Sequence, residues 1–413
     1  MLPRATPTGG WWRPKRPDAA SLAFLACGLL AAMTGSAAAR FPEWAGPMPA
    51  DTIVEPTRLD SIPAWVSDDH RAAFSAFLVT CSSIANGDAA QREARRAPPA
   101  LAAACRAALT LEAEGPPEAI ACRRFFERHF EAFEIRPKGG NGFLTAYYEP
   151  EVMASREKSA DFPVPVLARP DDLVTFGQNE PRPDGFDANL AAARRTASGF
   201  EPYVDRAAIW AGALNERARP IAWLKDEAEL FIIQVQGSAR LIFADATRAR
   251  LTYAGRNGHA YTSIGRILVE NGEIPLAEMS LERLMSWLRV DRARGRSLME
   301  RNRSYVFFAL EPMIDPVRGP VGGAGVPLTT GRSLAVDRTI WPYGLPVWIS
   351  ASPLTPTGPR VPLDRLMIAQ DTGSAIVGPA RGDFFMGSGM QAGTRAGLVR
   401  DSMRFIVLLP RGE

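Results

Sequence analysis

Apolar residues recur at three- and four-residue spacing in two stretches near the front of the chain. These are "HRAAFSAFLVTCSSIA" (residues 70–85) and "EAIACRRFFERHFEAFEI" (residues 118–135). The period is helical, so residues 69–135 are expected to form helices, punctuated by "RAPPAL" and "EGPPEA". In the second stretch Cys122, Phe125, Phe126, His129, Phe130 and Phe133 make one apolar stripe, a pattern of core packing. From "GGNGFLTAYYEPEV" onward the pattern turns to strands and loops.

The β-branched run "ELFIIQVQGSARLIF" predicts a strand pair turning at Gly237-Ser238. Helical spacing returns at "TSIGRILVENG" and "SLERLMSWLRV". After "SYVFF" come "RSLAVDRTI", "LPVWIS", "DRLMIAQD" and "MRFIVLLP", strands separated by Gly- and Pro-rich loops. The fold class expected is α+β, mainly β. A barrel near the C-terminus would carry the stretch "MIAQDTGSAIVGPARGDFFMGSG" on its loops.

The chain has 413 residues, with 35 Gly and 35 Pro. That length fits two domains or one with an insertion. Residues 1–39 differ from the rest. Arg4, Arg13, Lys15 and Arg16 precede a short Ala-rich apolar run, and small residues end it, the order of a secretory signal peptide. A retained anchor is the alternative, and Cys27 raises lipid attachment. Four bases and Asp18 leave with this segment, so 48 basic and 45 acidic residues become 44 of each. The formal charge of +3 therefore gives no case for nucleic-acid binding.

Three cysteines remain. In an oxidising compartment two of them pair, Cys81 with Cys105 being the pair expected; otherwise all three are buried apolar residues, as Cys122 looks on its aromatic face. His70, His129 and His259 share no ligand spacing, so neither a metal nor another cofactor is expected. The Gly-x-Ser-x-Gly elbow is absent, and so is a phosphate loop.

Carboxylates remain. Asp337, Asp371 and Asp383 lie at strand ends in the last β region. Asp383 precedes Phe384, Phe385 and Met386. Burial beside apolar groups raises a carboxyl pKa, as a proton donor near neutral pH requires. Asp371 opens "DTGS", whose hydroxyls and amides suit a supporting carboxylate. The same four letters occur in aspartic proteases, but those need two such loops to share one proton, and this chain has one.

Ordered motifs then point to a family. "FLTAYYEPEV", "FIIQVQGSARL", "YAGRNGHAYTSIGRIL", "GAGVPLTTGRSLAVD" and "AQDTGSAIVGPARGDFFMGSG" resemble the membrane-bound lytic murein transglycosylase A family with its three-aspartate (3D) domain, over roughly residues 60–408. The resemblance implies a double-psi β-barrel domain with an inserted smaller β-rich domain and N-terminal helices. The divisions would be 1–39 leader, 40–149 helices and first barrel part, 150–302 insert and 303–413 catalytic barrel part. It also implies cleavage of the β-1,4 bond from N-acetylmuramic acid to N-acetylglucosamine in peptidoglycan, giving 1,6-anhydro ends. Asp383 would be the acid/base, with Asp371 and Asp337 supporting it. Thr145, Tyr148, Gln236, Gly237 and Ser238 would line the glycan groove. Ser374, Val377 and Ala146 depart from the family's usual residues. The implied setting is the periplasm, with outer-membrane association, a monomer, and cell-wall synthesis complexes as partners. A non-catalytic wall-binding barrel is the alternative.

Overall fold

The computed structural model describes residues 41–42, 48–177, 180–187 and 189–412. The leader expected over 1–39 and the lipid site raised at Cys27 lie outside them. Among the described residues no helix is long and apolar enough to cross a membrane.

Three helices follow an opening strand: α1 (His70–Asn86), α2 (Pro99–Ala113) and α3 (Ala119–His129). Asp69 caps α1 by accepting from the Ala72 amide, and Gly87 ends it in the left-handed region (φ 72°). Proline opens α2, where its missing N–H costs nothing. A disulfide joins Cys81 of α1 to Cys105 of α2, Cα atoms 4.7 Å apart. Cys122 is free and buried.

The expected second helical stretch stops at His129. Phe130 is extended (φ −131°, ψ 155°), and Phe130 and Phe133 belong to a strand. Here "FEAFEI" finds strands to pair with on both sides, and ladder hydrogen bonds replace helical ones.

The barrel sheet has eight strands: β1 (Thr52–Thr57), β2 (Phe130–Pro137), β3 (Gly142–Glu149), β4 (Ser333–Ala335), β5 (Pro346–Ala351), β6 (Leu363–Asp371), β7 (Arg381–Ser388) and β8 (Arg400–Pro410). Their order is β1-β2-β8-β5-β6-β4-β7-β3, and β3 also pairs with β8. Six strands thus close a ring, which removes sheet edges. Most pairings are antiparallel, but β4–β6 and β3–β7 are parallel. The ring's core joins that of the helices through Phe74, Phe77, Phe126, Trp348, Ile368 and Phe405.

Between β3 and β4 the chain builds the insert. Its main sheet is ordered Val306–Pro312, Arg248–Arg256, Ala239–Ile242, Glu151–Met153. The last insert strand lies beyond the boundary expected at residue 302. The strand pair expected at Gly237-Ser238 is a helix followed by a strand: Glu227–Gln236, then Ala239–Ile242. Asp226 caps that helix and Gly237 (φ 85°) ends it. Its apolar run is buried on two sides. Leu230 and Ile233 join one core, while Ala228, Phe231 and Ile232 join another. A helix buried all round reads like a buried strand.

Glu149, at the end of β3, is fully buried where barrel meets insert. It pairs with Arg240 at 2.6 Å and Arg250 at 2.7 Å, both from the insert sheet. Ser388 of β7 donates to it at 2.7 Å. This one carboxylate ties the insert to two barrel strands.

Candidate active site

Strand register brings the aspartates together. Asp371 of β6 pairs with Ala335 of β4, Ala335 with Asp383 of β7, and Asp383 with Thr145 of β3. Residues in register on neighbouring strands face the same way. Two strand spacings put the Asp371 and Asp383 backbones about 10 Å apart. Such carboxylates do not form the proton-sharing pair of an aspartic protease. The expectation that this motif lies on loops is corrected: Asp383 sits inside β7 and Asp371 is the last residue of β6. The pattern was hard to read because Gly382 and Gly387 interrupt β7.

Asp383 meets four influences. Burial, the largest, pushes its carboxyl up from 3.8 to about 6, and the nearby Asp371 pushes the same way. The Arg381 guanidinium and the Thr145 hydroxyl pull it down. Thr145 Oγ1 donates to Asp383 Oδ1 at 2.5 Å, and Arg381 Nη2 donates to Thr145 Oγ1 at 2.6 Å. A guanidinium has no acceptor, so the hydroxyl's one proton must point at Asp383. Oδ1 is thereby fixed as the acceptor, and Oδ2 is left to carry a proton. Tyr147 packs against Phe385 with ring centroids 5.5 Å apart, forming an aromatic wall beside the acid.

The other two aspartates are fully engaged. Asp371 accepts from the Tyr147 hydroxyl at 2.7 Å, the Gly323 amide at 2.7 Å and the Thr372 amide at 2.8 Å. Burial, then Asp371 itself, holds the Tyr147 phenol well above its ordinary pKa, so it stays a donor. Asp337 accepts from the Thr339 amide and hydroxyl, and from the Gly378 amide at 2.7 Å. It clips the turn after β4 to the loop that follows Asp371. Gln370 is wholly buried. It donates to the Ala76 carbonyl and Thr80 hydroxyl of α1, and accepts from Ser333. This anchors the end of β6 just before Asp371.

The expected groove residues divide. Thr145 is on the acid. The Tyr148 amide donates to Gln236 Oε1 at 3.0 Å, joining β3 to the insert helix. Tyr148 and Gln236 line a cleft of about 210 Å³ with Tyr261, Leu281 and Arg400. Gly237 and Ser238 form the cap turn behind that wall and are not on the cleft. A larger cavity of about 410 Å³, lined by Trp210, Leu230, Leu288 and Tyr305, lies within the insert; like the smaller cleft, it touches none of Asp337, Asp371 and Asp383. His259 is buried against the Tyr203 carbonyl (2.7 Å).

Arg381, Tyr147 and Glu149 were not singled out from the sequence. Arg381 had a signal, since two residues before an acid on a strand is the same face. Tyr147 likewise follows Thr145 by two.

With this geometry in view, two domain families match the chain: the MltA specific insert domain over residues 143–309 and the 3D domain over residues 332–409. The crystal structure of a membrane-bound lytic murein transglycosylase from Agrobacterium tumefaciens is 38% identical, with a TM-score of 0.77, covering 87% of this chain and 98% of that one. The chain belongs to the membrane-bound lytic murein transglycosylase A family. A second relative, membrane-bound lytic murein transglycosylase A of Escherichia coli K12, is 33% identical over 263 residues, spanning 62% of this chain and 63% of that protein. The structure of E. coli MltA with bound chitohexaose is 26% identical, with a TM-score of 0.62, covering 90% of this chain and all of that one. In family terms, five ring strands, β4 to β8, fall in the 3D match with the aspartates, while β3 and the Arg248–Arg256 strand fall in the insert match.

Proposed function

We propose that this member of the family is a peptidoglycan lytic transglycosylase. It cleaves the β-1,4 bond between N-acetylmuramic acid and N-acetylglucosamine without water. The carrying observation is that Asp383, with a carboxyl near 6, is the one aspartate of the row left with an unbonded oxygen among the described residues. Protonated Asp383 gives its proton to the glycosidic oxygen, and the bond to the anomeric carbon breaks. The same carboxylate then takes the proton of the muramyl C6 hydroxyl, whose oxygen closes onto the anomeric carbon. Every proton is accounted for and no water enters. One carboxyl suffices because the nucleophile is already held in the substrate. Hydrolytic glycosidases need a second, free carboxylate. Asp371 has both oxygens occupied by donors, so it acts by charge, stabilising the cationic sugar in the transition state. The bound chitohexaose of the E. coli relative supports a β-1,4 amino-sugar polymer as the ligand.

The leader expected over residues 1–39 and the relatives' membrane-bound description support a place in the cell envelope, with peptidoglycan strands as the partner. Periplasmic release or outer-membrane anchoring, a monomeric state and contact with cell-wall synthesis complexes belong to the same proposal. Digestion of purified peptidoglycan tests it. Products should carry glycan ends one water lighter than reducing ends; no release at all would leave a binding protein.

A further inference from the structure

Near Asp371 lies a cluster of charges that the reaction does not use. Arg92 comes from the segment after α1, Arg256 ends the insert strand Arg248–Arg256, and Arg338 lies in the turn after β4. Arg92 donates to the carbonyl of Thr372 (next to Asp371) at 2.8 Å, and stacks over the Tyr253 ring at 4.1 Å. Gln91 donates to the Tyr253 carbonyl at 3.0 Å, pinning this segment to the insert strand. Arg338 is held by the Glu93 carbonyl. Arg256 follows a bulge at Tyr253–Gly255, and its side chain makes no hydrogen bond or ion pair among the described residues. Its pKa is depressed by burial and by the like charges of Arg92 and Arg338.

None of the three guanidiniums forms an ion pair among the described residues, and the nearby Asp371 carboxylate is already held by three donors, so the like charges repel. An anion relieves that, and a carboxylate suits the guanidinium fork. We propose that Arg92, Arg256 and Arg338 form an anion subsite, between insert and barrel, that takes a carboxylate of the substrate. The inference rests on the function proposed above. Peptidoglycan offers two such groups: the carboxylates of the stem peptide and, where the peptide has been removed, the lactyl carboxylate of muramic acid.

The test is calorimetric titration on the inactive Asp383→Asn protein with three ligands. They are a short peptidoglycan strand bearing peptides, the same strand stripped of peptides, and chitohexaose, which has no carboxylate. Arg256→Met should weaken a carboxylate-bearing strand about tenfold or more, the effect of losing a charged hydrogen-bond partner, and leave chitohexaose unchanged. Arg256→Lys should recover part of the loss, and Arg338→Gln should show the same selectivity. A loss on the peptide-bearing strand alone assigns the site to the stem. A loss on the stripped strand alone assigns it to the lactyl carboxylate, which is free only there, and a loss on both means that the site takes either carboxylate. Equal weakening of all three ligands, or of none, overturns the subsite. Failure of the parent reading shows up separately, as wild-type protein that makes no anhydro ends.

Discussion

Thr145 donates its hydroxyl proton to Asp383 at 2.5 Å because Arg381 occupies the other side of that hydroxyl at 2.6 Å. The relay joins β3 to β7 and decides which oxygen of the acid is free. It also opposes the burial that raises Asp383, so the balance between them sets the pH range of the reaction.

Activity should require protonated Asp383, so kcat/KM should fall as pH rises through about 6. Arg381→Met and Thr145→Val each remove an influence that lowers the carboxyl pKa, and should move that limb to higher pH. Asp371→Asn removes a neighbouring charge that raises it, and should move the limb lower. The group facing Asp383 from the insert is the Tyr261 phenol, held above its ordinary pKa mainly by burial and neutral throughout this range. The pH profile of each variant on a soluble glycan checks these directions; limbs that stay put would contradict the relay.

Asp383→Asn should abolish activity with the fold intact. It should also stabilise the protein at neutral pH. Folding raises the Asp383 pKa from 3.8 to about 6, so the folded state binds this proton more tightly. That contribution is fully present below pH 4 and lost as pH rises through 6. At pH 7 the native aspartate costs on the order of 2–3 kcal/mol, at 1.36 kcal/mol per pKa unit. Denaturant melts should show the Asn variant more stable at pH 7, with the gap shrinking towards pH 4. Equal stability at every pH would mean the carboxyl is well solvated.

Glu149→Gln should cost roughly 3–5 kcal/mol, because Arg240 and Arg250 are left without their buried counter-charge. Chemical denaturation measures this. A loss below about 1 kcal/mol would mean that solvent reaches the arginines readily.

Cys105→Ser opens a loop with 24 residues of separation between the paired cysteines. Loop-closure entropy puts the loss at about 3 kcal/mol. Melting under oxidising and reducing conditions should separate wild type by that amount and leave the variant unmoved.

Much of the fold was legible because its signals are local. Helical spacing places α1, and the runs "LPVWIS", "DRLMIAQD" and "MRFIVLLP" fall on β5, β6 and β8. The failures have tertiary causes. Phe130 and Phe133 left the helix because β1 and β8 offered ladders, and "ELFIIQVQ" became a helix because two cores bury it. Within the site, motif order picked out the aspartates, but not that Asp371 and Asp383 meet Ala335 from opposite sides. That relationship is a matter of register, invisible until the strands pair. Arg381 and Tyr147 could have been found by taking every second residue along the two strands that carry Asp383 and Thr145.

The central claim is a single acid/base acting on a substrate that supplies its own nucleophile. Mass spectrometry of muropeptides released from purified peptidoglycan, in water enriched in heavy oxygen, tests it most directly. The account predicts anhydro ends one water lighter than reducing ends, with no heavy oxygen incorporated. Reducing ends carrying the heavy label would contradict it and make the enzyme a hydrolase.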